Sequence, residues 1–420
     1  MINKSSHPHP EPKYYIGLMS GTSADGIDLA LVSFDIQNQL THHASYYHPY
    51  NNETAEKIKS LYTSENSVSE RNNVDNDEID RAFSLDVELA KLFAKAINVF
   101  LAKEHLNSND IVAIGSHGQT IRHRPQIMHP FTLQIGCCQT LATLTDIRVV
   151  GQFRRKDMAL GGQGAPLVPA FHQTIFSENA ERESTYGCGA DIVDSLKREG
   201  ADVFVVNIGG ISNLTFLPAT NKLQVIGYDT GVGNALMDDW FVLHNPNSKN
   251  KYDKNGEWAA SGVVNDDLLS HLLSDDYFKL APPKSTGREY FHLSWLEQKI
   301  TKVKPVSNKD VQATLASFTA ITIANAIKQH CSGSVNITKV YLCGGGVHNK
   351  ILKDLINQQL KTQPLKYEIL LTNQKGIDGD QLEAIAFAWL AFAYDKKFLS
   401  SMSTVTGASK CCTLGNDYLP

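Results

Sequence analysis

The chain has 420 residues, of which 42% are hydrophobic and 20% charged, with a net charge of −5. That balance is typical of a folded globular protein, and the length exceeds one ordinary core, so two domains of about 150–250 residues are expected. The acidic balance excludes a dedicated binder of nucleic acid or anionic membranes, and no apolar run reaches the roughly 18 residues of a membrane span.

Residues 1–13 are polar, hold His7-Pro8-His9-Pro10, lack the apolar stretch of a signal peptide and read as a disordered tail. Two β-rich runs follow, 14–18 and 29–34. Between them lies Met19-Ser20-Gly21-Thr22-Ser23-Ala24-Asp25-Gly26-Ile27-Asp28. The pattern predicts strand, tight turn, strand. Glycines let amides approach an anion, and hydroxyls add donors. Carboxylates tolerate phosphate only with a cation between, so this mixture suggests a metal–nucleotide phosphate site; an ordinary hairpin turn is the bland alternative.

Helical spacing runs over 80–101. A short strand at 111–115 is predicted to end at Ser116-His117-Gly118-Gln119-Thr120, and another covers 147–153. The Gly-rich turn 161–166 precedes a helix at 167–175. Residues 177–200 are polar and charged, a surface excursion and candidate boundary. Then the opening plan repeats: strand 203–208, turn Gly209-Gly210-Ile211-Ser212-Asn213, strand 214–217. A repeat at long period implies two similar halves facing a shared cleft. Strand 340–342 leads into Gly344-Gly345-Gly346-Val347-His348-Asn349 and a helix at 350–360, and an apolar helix covers 382–394.

The seven cysteines include two adjacent pairs and no CxxC, which predicts a reducing cytoplasm with neither disulfide framework nor zinc site. No GxxxxGK[ST], strand-to-helix GxGxxG, HExxH or GxSxG occurs, so the corresponding NTPase, dehydrogenase, zincin and hydrolase readings lose support.

Three Gly-rich turns after strands resemble the nucleotide-binding plan of the sugar kinase/Hsp70/actin superfamily. More closely, the chain resembles the anhydro-N-acetylmuramic acid kinases over nearly its whole length. The matching segments are MSGTSADGID (19–28), GSHGQT (115–120), LQIG (133–136), FRRKD (153–157), GGQGAPLVPAFH (161–172), NIGGISNL (207–214), GYDTGVGN (227–234), KSTGREYF (284–291), QATLA (312–316), CGGGVHN (343–349) and VTGA (405–408). The resemblance implies an α/β fold of two actin-like lobes, each a mixed sheet flanked by helices, with the active site in a cleft that closes on ligand. The expected lobes are 14–176 with 380–420, and 177–379.

The activity implied is ATP-dependent. Water opens the 1,6-anhydro ring of 1,6-anhydro-N-acetylmuramic acid and O6 takes the γ-phosphoryl group, giving N-acetylmuramic acid 6-phosphate and ADP in murein recycling. Asp229 takes the family's catalytic-base position. Gly21, Thr22, Ser23, Ala24, Asp25, Gly26, Ile27 and Asp28 hold the phosphates, with Asp25 or Asp28 on Mg²⁺. Asn207, Gly209, Gly210 and Asn213 form a second phosphate turn; Gly344, Gly345, Gly346 and Asn349 take the adenosine. His117, Gln119, Thr120, Arg154 and Arg155 are the substrate-side residues, the arginines suiting a lactyl carboxylate. Arg288 reaches substrate or makes a structural pair. The family's GPGN is Gly231-Val232-Gly233-Asn234 here, and its Asp before FRR is Gln152. The partner implied is a small anhydro-sugar, with no nucleic acid and no membrane; a homodimer in the cytoplasm fits the family. The alternatives are a levoglucosan-type anhydrohexose kinase and a non-catalytic ATP-binding switch.

Overall fold

The computed structural model describes residues 13–62, 77–177, 200–220, 223–288, 290–331, 336–362 and 365–420. The tail before residue 13 and the interior of the 177–200 excursion lie outside the described residues. The strands are β1 (Tyr14–Ser20), β2 (Gly26–Phe34), β3 (Leu40–Pro49), β4 (Ile111–Arg124), β5 (Phe131–Ile135), β6 (Val149–Gly151), β7 (Val203–Ile208), β8 (Ile211–Leu217), β9 (Ile226–Val232), β10 (Thr338–Cys343), β11 (Tyr367–Leu371) and β12 (Asn416–Tyr418). They fall into two compact units. One comprises the chain to Ala159 with Glu383–Ser400 and Cys412–Pro420; the other is Leu160–Leu382 with Ser401–Cys411.

The first unit holds a seven-stranded mixed sheet ordered β12-β6-β4-β1-β2-β3, with β5 on β4. β1, β2 and β3 form an antiparallel meander, while β4 runs parallel to β1 and β6 parallel to β4. Helix Glu78–Lys103 starts at the Asp77 cap, which accepts from Ile79 N, and buries Leu85, Leu89, Phe93, Ile97 and Phe100 at helical spacing. Strand β4 continues through the motif at 115–120 to Arg124. The chain bends there at Gly118, with φ +73°, and gains β5 as a new partner beyond it.

The apolar helix Leu382–Lys396 joins this unit from Glu383 onward. Its alanine-rich backbone meets paired glycines of the sheet, Gly17 and Gly115, which are neighbours across β1 and β4. A Cβ on Gly17 would stand 1.7 Å from the Ala384 carbonyl oxygen, and one on Gly115 1.9 Å from that of Phe387. Tyr15 donates to Asp395 at 2.8 Å, and Arg148 grips both Asp395 oxygens at 2.7 and 2.6 Å, pinning the helix's other end.

The second unit repeats the plan. Its five-stranded sheet is ordered β11-β10-β7-β8-β9, with β7, β8 and β9 as the meander and β10 and β11 parallel to β7. The repeat expected from the turns is thus a repeat of topology. Helix Asn308–His330 stands where Glu78–Lys103 stands in the first unit, between meander and parallel strands. It is buried on nearly every side, so its sequence carries no amphipathic stripe.

The unit boundary lies at Ala159/Leu160 rather than at 176. Helix Pro169–Phe176 packs on β7 and β8, with His172 Nδ1 bonded to Thr215 Oγ1 at 2.8 Å. Segment 401–411 likewise belongs to the second unit, tied by Thr404 Oγ1 donating to the Val225 carbonyl at 2.9 Å. Against the expectation of a chain without a disulfide framework, Cys411 is disulfide-bonded.

One buried cluster gives this unit a pH-dependent stability. Burial would push the Asp275 carboxyl up; instead Lys299, Tyr290, the Tyr277 amide and Trp295 all donate to it and hold it down at about 2. A depressed carboxyl stabilises the fold above the unfolded value near 4, and that contribution disappears as pH falls through the folded value. It is worth about 2 kcal/mol at neutral pH. Asp275→Asn is expected to lower the urea midpoint at pH 7, with the gap to the unsubstituted protein closing as pH approaches about 2. A gap constant from pH 7 to 2.5 would refute the assignment.

Candidate active site

Hairpin 19–28 joins β1 to β2, with Met19 opposite Asp28. Its carbonyls are drawn back into the first unit. Gln119 Nε2 donates to Gly21 O at 3.1 Å and Tyr62 OH to Thr22 O at 3.1 Å. Tyr47 OH and Tyr50 N each donate to Asp25 O at 2.9 Å. Ala24 adopts φ +53°, closing the turn with its amide on Gly21 O. With these carbonyls engaged, amides and the exposed Thr22 hydroxyl are the chemistry turned toward a ligand. Asp25 is exposed and accepts from Ser23 Oγ at 2.5 Å; Ile27 is buried core, and Asp28 is half-buried on β2.

The neighbouring motif on β4 serves this hairpin. Gln119 is fully buried, accepting from Ser20 Oγ at 2.6 Å while its amide nitrogen binds Gly21 O and Tyr62 OH. It supports the turn from behind. Thr120 Oγ1 accepts from Gln134 at 3.1 Å.

His117 is buried, its ring against Phe387 at 4.6 Å. Arg154 Nε donates to His117 Nε2 at 3.0 Å, so the imidazole proton sits on Nδ1, which donates to the Gly118 carbonyl at 2.9 Å. Burial first, then the Arg154 guanidinium, hold this imidazole well below its usual range, so it is neutral at physiological pH. His117 therefore orients Arg154. Arg155, next on helix Phe153–Ala159, is exposed. Beside them His117, Gly118, Gln134, Gln139, Gln152 and Tyr418 help line a cavity of about 130 Å³. Cys138 also lines it, its thiol pushed up to about 12 by burial, which leaves it an unreactive wall.

In the second unit, β7 and β8 form the matching hairpin, with Asn207 opposite Asn213. Its carbonyls are also engaged. Asn234 Nδ2 donates to Ile208 O at 3.2 Å, Asn234 N to Gly209 O at 2.8 Å, and Gly233 and Ala235 amides to Gly210 O at 3.0 and 3.1 Å. Ser212 Oγ is buried without a partner among the described residues. Strand β10 runs beside β7 and delivers the turn 344–349 to the same sheet end, Gly344 at φ +78° against Asn207 Oδ1. Gly346 is packed on Ile208. Asn349 turns away, its Oδ1 accepting from Leu352 N at 3.0 Å to cap helix Lys350–Lys361. An open groove of about 710 Å³ with Ile337, Lys361 and Lys366 in its wall lies at the opposite sheet end.

Four turn glycines share one property. A Cβ on Gly21, Gly209 or Gly210 would meet no protein atom closer than 3.4 Å, and one on Gly345 nothing within 4 Å; none has left-handed φ. Neither packing nor backbone conformation requires glycine there. The space kept clear fits close approach of a ligand to the backbone.

Asp229 lies on β9 directly across from Asn213, at a register shift between Ser212 and Asn213. Its main chain is fixed by Tyr277 OH donating to its carbonyl at 2.5 Å and by its own amide donating to Lys284 O at 3.3 Å. Its Oδ2 accepts from Thr286 N at 2.9 Å. Lys284 is buried, its Nζ donating to Tyr277 O at 3.3 Å and lying 4.7 and 5.5 Å from the Tyr277 and Tyr228 ring centres. Burial lowers this ammonium's pKa, and attraction to Asp229 opposes that. Segment 284–286 also binds the 161–166 turn, Ser285 Oγ donating to Gln163 Oε1 at 3.4 Å, while Gln163 N donates to Thr406 O at 2.8 Å. Four distant motifs thus converge on Asp229. Arg288 is a structural pair, Nη2 on both Asp239 oxygens at 2.6 and 2.7 Å. Spacing gave no sign of Lys284 or Thr286; only the motif KSTGR marked the segment.

The family model described as Anhydro-N-acetylmuramic acid kinase matches residues 13–420. The anhydro-N-acetylmuramic acid kinase of Colwellia psychrerythraea is 54% identical, covering 98% of both chains, and that of Shewanella pealeana 43%, covering 96% of this chain and 98% of its own. Among solved structures, the activator of the 2-hydroxyisocaproyl-CoA dehydratase from Clostridium difficile, with bound ADPNP, is similar over 91% of this chain and 96% of its own, at 10% identity and a TM-score of 0.37. The chain belongs to the anhydro-N-acetylmuramic acid kinase family.

Proposed function

We propose that hairpins 19–28 and 207–213 bind the phosphates of ATP, that turn 344–349 takes its adenosine, and that Asp229 is the general base for opening the anhydro ring. Family membership makes the chain an ATP-dependent kinase of anhydro-N-acetylmuramic acid, acting in cell-wall recycling. The observation that carries the assignment of residues is the cleared space at Gly21, Gly209, Gly210 and Gly345, joined at the two hairpins by carbonyls that are engaged elsewhere.

Asp25 and Asp28 are the carboxylates that would hold Mg²⁺, which when bound neutralises charge on the transferring phosphoryl group. Asp229, with Oδ2 committed to Thr286 N, takes a proton from water as the water oxygen bonds to the anomeric carbon. The bond from that carbon to O6 breaks, and O6 attacks the γ-phosphorus as ADP leaves. Arg154, aimed by neutral His117, offers the cation for the lactyl carboxylate, and the amides around the adjoining cavity suit the sugar's polar substituents. On this reading the enzyme works in the cytoplasm, as a homodimer.

Mixing the protein with Mg-ATP and 1,6-anhydro-N-acetylmuramic acid is expected to release ADP well above the ATP-only blank. Levoglucosan, lacking the acetamido and lactyl groups, is expected to be a poor substitute. Absence of sugar-dependent ADP would overturn the kinase reading, and equal rates with levoglucosan would overturn the role given to Arg154.

A further inference from the structure

A second segment joins turn 344–349 at the same sheet end. The Gly344 amide donates to Gly379 O at 3.2 Å. A Cβ on Gly379 would stand 3.0 Å from Thr372 Oγ1 and 3.3 Å from Cys343 Cβ, so loop 376–381 lies close against the strand that carries the turn. Asp378 Oδ1 accepts from Asp380 N at 3.1 Å and fixes the loop's last bend. These contacts bring Asp380 beside the turn without any help from its side chain.

Gly345–His348 is a single 3₁₀ turn. In that geometry side chains three residues apart eclipse, so His348 stands on the face of Gly345, about 6 Å along it at roughly 2 Å of rise per residue. Gly346 and Val347 between them are buried, whereas Gly345 and His348 are exposed. His348 Nε2 lies 2.9 Å from Asp380 Oδ2; a carboxylate only accepts, so the imidazole N–H donates. Asp380 Oδ1 is left open among the described residues. With the two side chains 67% and 47% exposed, such a pair is worth only about 0–1 kcal/mol, too little to explain it as a support of the fold. It borders the space kept clear at Gly345.

We propose that Asp380 binds a ribose hydroxyl of the nucleotide through Oδ1, with His348 holding Oδ2, so that this pair selects ribonucleotides. The inference rests on turn 344–349 taking adenosine. A carboxylate repels phosphate and cannot bond the ring nitrogens of adenine that only accept, so its partner is a donor. The ribose presents two adjacent hydroxyls, which match the adjacent carboxylate and imidazole. The 6-amino group of adenine would use the carboxylate alone.

The test is steady-state release of nucleoside diphosphate at saturating anhydro-sugar, with ATP, 2′-deoxy-ATP, 3′-deoxy-ATP and ITP, and folding checked by circular dichroism. With the unsubstituted protein, at least one deoxynucleotide is expected to show a KM about 10-fold above that of ATP at similar kcat. Asp380→Ala should raise the KM for ATP about as much and bring ATP level with that deoxynucleotide. His348→Ala, which frees the carboxylate to swing, should lose part of the preference. Gly345→Val fills the cleared space and should raise the KM for ATP at least 10-fold. If Asp380→Ala misfolds, Asp380→Ser carries the same comparison, and the deoxynucleotides on the unsubstituted protein need no variant. Equal KM for ATP and both deoxynucleotides in the unsubstituted protein overturns the inference, as does a preference that survives Asp380→Ala. A change in Asp380→Ala confined to ATP against ITP assigns the carboxylate to the 6-amino group and overturns it too. An unchanged KM in Gly345→Val removes adenosine from the turn, and this inference with it; a raised KM there with Asp380→Ala unaffected overturns this inference alone.

Discussion

Asp229→Asn is expected to lower turnover by about 10²–10⁴-fold, with nucleotide affinity within about threefold of the unsubstituted protein. The substitution removes the basic carboxylate and, with it, the charge that attracts the buried Lys284 ammonium, while the main-chain contacts stay. Tyr277 and Lys284 hold the main chain of residue 229, and the ladder to Asn213 is backbone pairing; none depends on the charge. Asparagine's carbonyl oxygen can still accept from Thr286 N. A loss confined to kcat, with a fluorescent ATP analogue binding as before, is therefore the signature of a missing base. Retained turnover would remove Asp229 from that role.

Gly17→Ala is expected to be the most destabilising single methyl in the first unit. The new Cβ would stand 1.7 Å from Ala384 O and 2.7 Å from Ala388 N, both backbone atoms of helix Leu382–Lys396 that no rotamer change can move aside. The helix must lift from the sheet, uncovering Phe387 and its neighbours, for a loss of about 3 kcal/mol or more. That corresponds to a fall in melting temperature of about 6–12 °C. Gly115→Ala meets the same helix from the adjacent strand, so the pair should cost less than the sum, one displacement serving both. Calorimetry of the three variants checks this. A drop below about 1 kcal/mol for Gly17→Ala would mean the contact is looser than described.

The parts legible in the sequence are those whose chemistry is local. The hairpins at 19–28 and 207–213 announce themselves because their tight turns gather small and hydroxyl residues in a few consecutive positions. Helix Glu78–Lys103 does so because one face is wet. Helix Asn308–His330 escaped because it is buried all round and shows no stripe, and β3 because His, Ser and Tyr alternate there without an apolar face. At the candidate site, residue types were easier to read than their partners. Gln119 and His117 belong to the right motif, but Gln119 supports the hairpin and His117 orients Arg154, relations that exist only once β4 lies beside β1 and helix Phe153–Ala159. Asn349 was read as a nucleotide contact, while its side chain caps a helix. Thr286 lies 57 residues after the carboxylate it serves, beyond any local pattern.

The return of the chain's end to the first unit sets a schedule for biosynthesis. The meander and β4 are made early, yet the helix that covers Gly17 and Gly115 begins at residue 382, more than 200 residues after Ala159. At about 5–20 residues per second, the ribosome takes roughly 10–45 s to reach it. During that interval the bare glycine face of the first sheet is an apolar surface awaiting its cover, while strands β7 to β11 of the second unit have all been synthesised before the helix begins. The half made first is thus the last able to finish folding, and ribosome-bound chaperones have their longest opportunity there.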